Sequence, residues 1–138
     1  MLFIYIKIYI KIYMNSIQKR FLLFLLGCIP CRLFFVFIAK QVPVTYLVYL
    51  GYLALLPAFG FMYLFFSGKR TIGLETQGQP IWWTKFRLLH GLFYFLFALY
   101  AINGLRSAYQ FLLADVCVGL LLFLWHHYRE GNFSKLGL

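Results

Sequence analysis

The sequence predicts an all-α integral membrane protein, a four-helix bundle made of two helical hairpins. The chain is 64% hydrophobic and only 12% charged, with a mean hydropathy of +0.83, far more apolar than a soluble domain. Its apolar residues gather in four runs, each close to the ~20 residues that a helix needs to cross a bilayer core. Its basic residues gather outside those runs, as orientation in a membrane requires.

Residues 1–20 form a basic N-terminal tail. The repeat Ile4-Tyr5-Ile6-Lys7-Ile8-Tyr9-Ile10-Lys11-Ile12-Tyr13 alternates strictly, which fits a β-strand or, as we favour here, a low-complexity segment. Met14 is the expected start of the working chain, because Met14 to Arg20 is a short basic head placed directly before an apolar run. The transmembrane domain is expected over 21–128. Its first span, 21–39, is closed by Lys40 and holds Pro30, which withholds its N–H from the Leu26 carbonyl and kinks the helix. The turn Gln41-Val42-Pro43 leads into the second span, 44–66. There the small residues Ala54 and Ala58, one turn apart, admit the close approach of another helix.

The polar stretch from Ser67 to Pro80 divides the chain into its two hairpins. The third span, 83–102, stops at Asn103-Gly104, a common helix end. The fourth, 108–125, runs into His126 and His127 and a polar tail over 129–138.

Entry into the third span carries the most unusual chemistry. Trp82 and Trp83 suit the headgroup layer, where an amphipathic ring has an apolar face and a wet edge, and Lys85 reaches phosphates from the same depth. At 100° per residue, Trp83, Arg87, His90, Tyr94, Ala98 and Ala101 share one stripe. Lipid cannot satisfy a guanidinium or an imidazole, so this stripe faces protein.

Nine of the thirteen basic residues lie on one side: Lys7, Lys11, Lys19, Arg20, Lys69, Arg70, Lys85, Arg129 and Lys135. Lys40 and Arg106 lie on the other, and Arg32 and Arg87 lie within spans. Both termini are therefore expected in the cytoplasm. The formal charge of +10 serves orientation and attraction to anionic headgroups of the lipid bilayer, and nucleic-acid binding is not expected.

Four constellations bear on function. Arg32 lies seven residues from the end of the first span and Asp115 seven from the start of the fourth, roughly 10 Å below the same surface at 1.5 Å per residue. Two charges at one depth in otherwise apolar helices are expected to pair and, with Arg87, His90 and Tyr94, to make an intramembrane polar cluster. Cys28 and Cys31 have the C-x-x-C spacing of thiol-disulfide enzymes, but Cys117 is the only other cysteine, so no second pair can relay electrons. Small apolar packing is the expected role of the pair. His90 and the His126-His127 pair sit at different depths, so no metal or haem is expected.

The last constellation is spread along the chain. Gly27-Cys28-Ile29-Pro30-x-Arg32 with Ala39-Lys40, the Gly73-Leu74-Glu75-Thr76-x-Gly78 loop, Ile81-Trp82-Trp83 with Arg87 and His90, and Asp115…Gly119…His126-His127 lie between residues 19 and 128. Together they resemble small four-span membrane proteins encoded by large DNA viruses of protists and algae. The resemblance implies a virion membrane or a host endomembrane and no particular mechanism.

The expected function is thus a structural or binding role within that membrane, without a cofactor and without catalysis. A membrane redox enzyme working through Cys28 and Cys31 is the alternative, and a small transporter or channel a further one. Homo- and hetero-oligomers both remain open.

Overall fold

The computed structural model describes residues 1–73, 76 and 78–137 of the chain. Its regular structure is helical: α1 (Leu2–Tyr13), α2 (Ser16–Leu22), α3 (Ile29–Gln41), α4 (Val44–Ser67), α5 (Arg87–Ile102) and α6 (Tyr109–Arg129). Among the described residues four stretches are long and apolar enough to cross a membrane: Ser16–Gln41, Val44–Ser67, Trp82–Ile102 and Arg106–Arg129. They overlap the sequence bounds 21–39, 44–66, 83–102 and 108–125 and extend past them. The first gains five residues at its start because Asn15 caps it: Asn15 Oδ1 accepts from the Gln18 N–H at 2.8 Å, and Gln18 Oε1 accepts from the Asn15 N–H at 2.9 Å.

The first span is wound in three pieces. Between α2 and α3 lies a wide π turn, Leu23–Cys28, in which the Ile29 N–H reaches back five residues to the Phe24 carbonyl. Pro30 follows at once, at the start of α3, where its missing N–H is tolerated best. The helix thus meets its proline by widening the preceding turn.

The first segment is a helix, α1, rather than the strand that its alternation also fits. A lone strand would leave its N–H and C=O groups without partners, whereas a helix pairs them internally. Residues 2–9 and Tyr13 of α1 are exposed.

α4 and α5 form the closest-packed pair, α6 joins α5 to α3, and the first and second spans pack on α6 and α5 rather than broadly on each other. Small residues make the α4–α5 approach. Gly51, Ala54 and Ala58 on α4 are buried, as are Gly91, Ala98 and Ala101 on α5. A Cβ on Gly51 would stand 2.9 Å from the Ile102 backbone nitrogen, and one on Gly91 would stand 3.1 Å from the Ala58 carbonyl oxygen. The apolar core joins Ile29, Val36, Leu47, Phe97, Leu112 and Val116 to these alanines.

The two ends of the bundle are fixed differently. At one end, Asn15 Nδ2 donates to the Lys135 carbonyl and Gln18 Nε2 to the Leu136 carbonyl, both at 2.8 Å, tying the start of α2 to the 3-10 turn Asn132–Leu136. At the other, Arg106 donates to the Val42 carbonyl and joins the two short turns. The loop after α4 returns to the first end, where the Ile81 N–H donates to the Thr71 carbonyl at 2.7 Å and Ile72 and Pro80 form an isolated antiparallel bridge. Leu74 and Glu75, named above in the loop from Gly73 to Gly78, and Gln77 lie outside the described residues.

Candidate functional site

The bundle is polar where a soluble protein would be apolar. Asp115 on α6 is 1% exposed, and Arg87 and His90 on α5 are 3% and 4% exposed. Asp115 takes two partners: Arg32 Nη1 donates to Oδ2 at 2.8 Å, and His90 Nδ1 is hydrogen-bonded to Oδ1. In that contact the ring turns Nδ1 to the carboxylate and leaves Nε2 on its other side. Gly119, one turn beyond Asp115, keeps this space open. A Cβ there would be 3.4 Å from Arg32 Nη1 and 3.6 Å from His90 Cε1, so any larger side chain would push the two groups apart.

Of the residues read in sequence as an intramembrane polar cluster, Arg32, His90 and Asp115 meet directly. The third span begins in a 3-10 turn, Trp82–Phe86, before α5 carries Arg87 and His90. Arg87 has another task. Its guanidinium donates to the Lys69 carbonyl at 2.8 Å, to the Leu64 carbonyl at 3.4 Å and to the Arg70 carbonyl, holding the end of α4 and the loop behind it. Tyr94, a turn beyond His90, is half-buried with its ring 6.0 Å from that of Phe61.

A cavity of about 280 Å³ opens from the polar cluster toward the end where the termini lie. Four arginines line it: Arg20 and Arg32 from the first span, Arg70 from the loop and Arg87 from α5. His90, His127, Thr76 and Cys28 add polar groups, and Phe24, Trp82, Trp83 and Phe123 add aromatic ones. Thr76, which the sequence does not single out, is 3% exposed, with its hydroxyl 2.9 Å from the Gly73 carbonyl and 2.6 Å from the Gln79 carbonyl, so one side chain closes the loop over the cavity.

Of the expected interface anchors, Trp82 and Trp83 are half-buried and Lys85 is exposed. The Trp82 ring stacks on His126 with centroids 4.3 Å apart and planes at 4°. His127, 1% exposed, is held by Asn132 Nδ2 at 2.8 Å and packs on Phe123 and Phe21. Cys28 lines the cavity, whereas Cys31 and Cys117 are exposed, and all three are free thiols. Among the described residues no group of three or more His, Cys, Asp and Glu side chains could hold a metal ion. No family model matches the chain, and no curated protein and no solved structure is significantly similar to it.

Proposed function

We propose that this chain is a multi-pass integral membrane protein with a binding role in its bilayer, its termini on the cytoplasmic side. One observation carries the reading: the bundle is inverted. Phe34, Phe37, Tyr46, Leu56, Phe59 and Leu121 are more than half exposed on its outside, whereas Asp115, His90 and Arg87 are buried within. In water that arrangement would expose the apolar rings and desolvate the charges; in lipid both find their place.

The clustering of Lys69, Arg70, Lys85 and Arg129 toward the end that carries both termini supports the cytoplasmic orientation. The resemblance of residues 19–128 to viral four-span proteins supports a virion membrane or a host endomembrane as its place. Thiol-disulfide chemistry has less support, since Cys28 and Cys31 do not present both sulfurs to the cavity.

Alkaline carbonate extraction tests membrane residence, and the protein is expected in the pellet. Single cysteines at Ser67 or Ser134 in a cysteine-free background test orientation: an impermeant maleimide should label them only after permeabilisation. Release into the carbonate supernatant would refute integration, and labelling of sealed cells would reverse the topology.

A further inference from the structure

The cavity has a composition that packing alone does not require. Four arginines border it, and the whole chain holds only three carboxylates, Glu75, Asp115 and Glu130. The lining is therefore net positive whichever of those carboxylates approach it. Arg20 Nε is buried and has no hydrogen-bond partner among the described residues, although buried donors in native proteins are nearly always paired.

The winding of the first span aims two of these arginines at the same space. Arg20 and Arg32 are twelve residues apart, and in a regular α-helix at 100° per residue they would point about 120° away from each other. The π turn between them under-winds the segment and takes back most of that angle, so both line one cavity. Wide turns of this kind recur at functional sites.

We propose that this cavity binds a phosphate group carried by an anionic amphiphile or a soluble phosphate ester. The inference rests on the membrane reading above. Guanidinium groups recognise phosphate oxygens through paired, charge-assisted hydrogen bonds, and basic pockets between membrane spans take anionic lipid headgroups. Arg20 supplies an unpaired donor, Arg32 keeps N–H groups beyond the one given to Asp115, and the His90 Nε2 side of the ring is left by the Asp115 contact. The volume of about 280 Å³ sits at the small end of ligand pockets, enough for a phosphate and its glycerol but not for acyl chains. Chains would have to leave between the first and second spans, which both contribute lining residues yet pack on other helices.

The test uses the full chain purified in a neutral detergent, with thermal unfolding followed as lipid or salt is added. Dioleoyl phosphatidylglycerol should raise the midpoint over an equal amount of dioleoyl phosphatidylcholine if the source is lipid. Glycerol 3-phosphate should raise it without lipid if the source is soluble, and either result supports a phosphate site. Arg20→Gln should weaken the apparent affinity by about tenfold or more, the loss of one charge-assisted contact. Leu122→Trp, which fills the cavity without changing a charge, should abolish the shift, and Arg129→Gln, which removes an exposed charge from the same end, should keep it.

No shift with either ligand in a protein that still pellets with membranes would overturn the site while leaving the membrane reading intact. An equal loss in Arg129→Gln and Arg20→Gln would reduce binding to diffuse attraction and would also overturn it, as would a full shift in Leu122→Trp.

Discussion

Arg32 on α3 and Asp115 on α6 meet at 2.8 Å across 83 residues of chain, and the carboxylate is all but sealed from the surface. Desolvating both partners offsets much of their attraction, so the pair is weak evidence of net stabilisation. Breaking it is another matter. Arg32→Leu or Asp115→Leu should each cost about 3–5 kcal/mol, because one charge is left buried without its opposite charge. The double change should recover much of that loss. Asp115→Leu should be the worse of the two, since it also strips His90 of its partner, and His90→Leu alone should cost about 1–3 kcal/mol. A double-mutant cycle on refolding yield or reversible unfolding reads the coupling, and strict additivity would mean that the groups do not interact in the membrane.

Glycines on α4 separate a packing role from a neutral one. At Gly51 a Cβ would collide with the Ile102 backbone, so Gly51→Ala should destabilise by about 1–3 kcal/mol. At Gly60 nothing lies within 4 Å, and Gly60→Ala should be neutral or stabilise by up to about 1 kcal/mol through helix propensity. Unfolding of both variants in mixed micelles would show the contrast, and equal effects would disprove the close α4–α5 approach.

Cysteine chemistry is expected to be dispensable. Cys31→Ser and Cys117→Ser alter exposed positions and should shift stability by no more than about 0.5 kcal/mol. Neither should change migration on non-reducing gels. A redox-dependent mobility shift lost in Cys28→Ser or Cys31→Ser would instead support an oxidoreductase.

Translation from Met14 should give a protein of equal abundance and membrane integration, because the described side chains of α1 are exposed and the capping box at Asn15 starts the first span unaided. Reporter fusions at the C-terminus, compared for the full and shortened chains, measure this. A large fall in integrated protein would assign α1 a structural role.

Fold class and span number were legible because hydropathy acts over whole segments and tolerates errors of a few residues at each end. Arg32 and Asp115 were legible as partners because rise per residue converts sequence position into depth. Local departures from α geometry hid the rest. The π turn changed the direction of Arg20, which reads in sequence as one more topological charge. Thr76 was hidden for a different reason: a single hydroxyl in a glycine-rich loop carries no periodic signal.

The wide turn at Leu23–Cys28 has an implication for how this helix can change. A π turn is a surplus of residues stored in the winding, and removing one residue there would let the segment relax into regular helix. Arg20 and Arg32 would then stand eleven residues apart in regular helix, about 20° from one direction, so both would still face the cavity. A residue deleted from the regular winding between them instead would turn the half before it by about 100°, and Asn15 and Gln18 would leave the carbonyls of Lys135 and Leu136. The first span is thus phased like a key with one spare notch: a residue is given up at the π turn without loss of alignment, whereas one lost elsewhere is read at both ends of the chain.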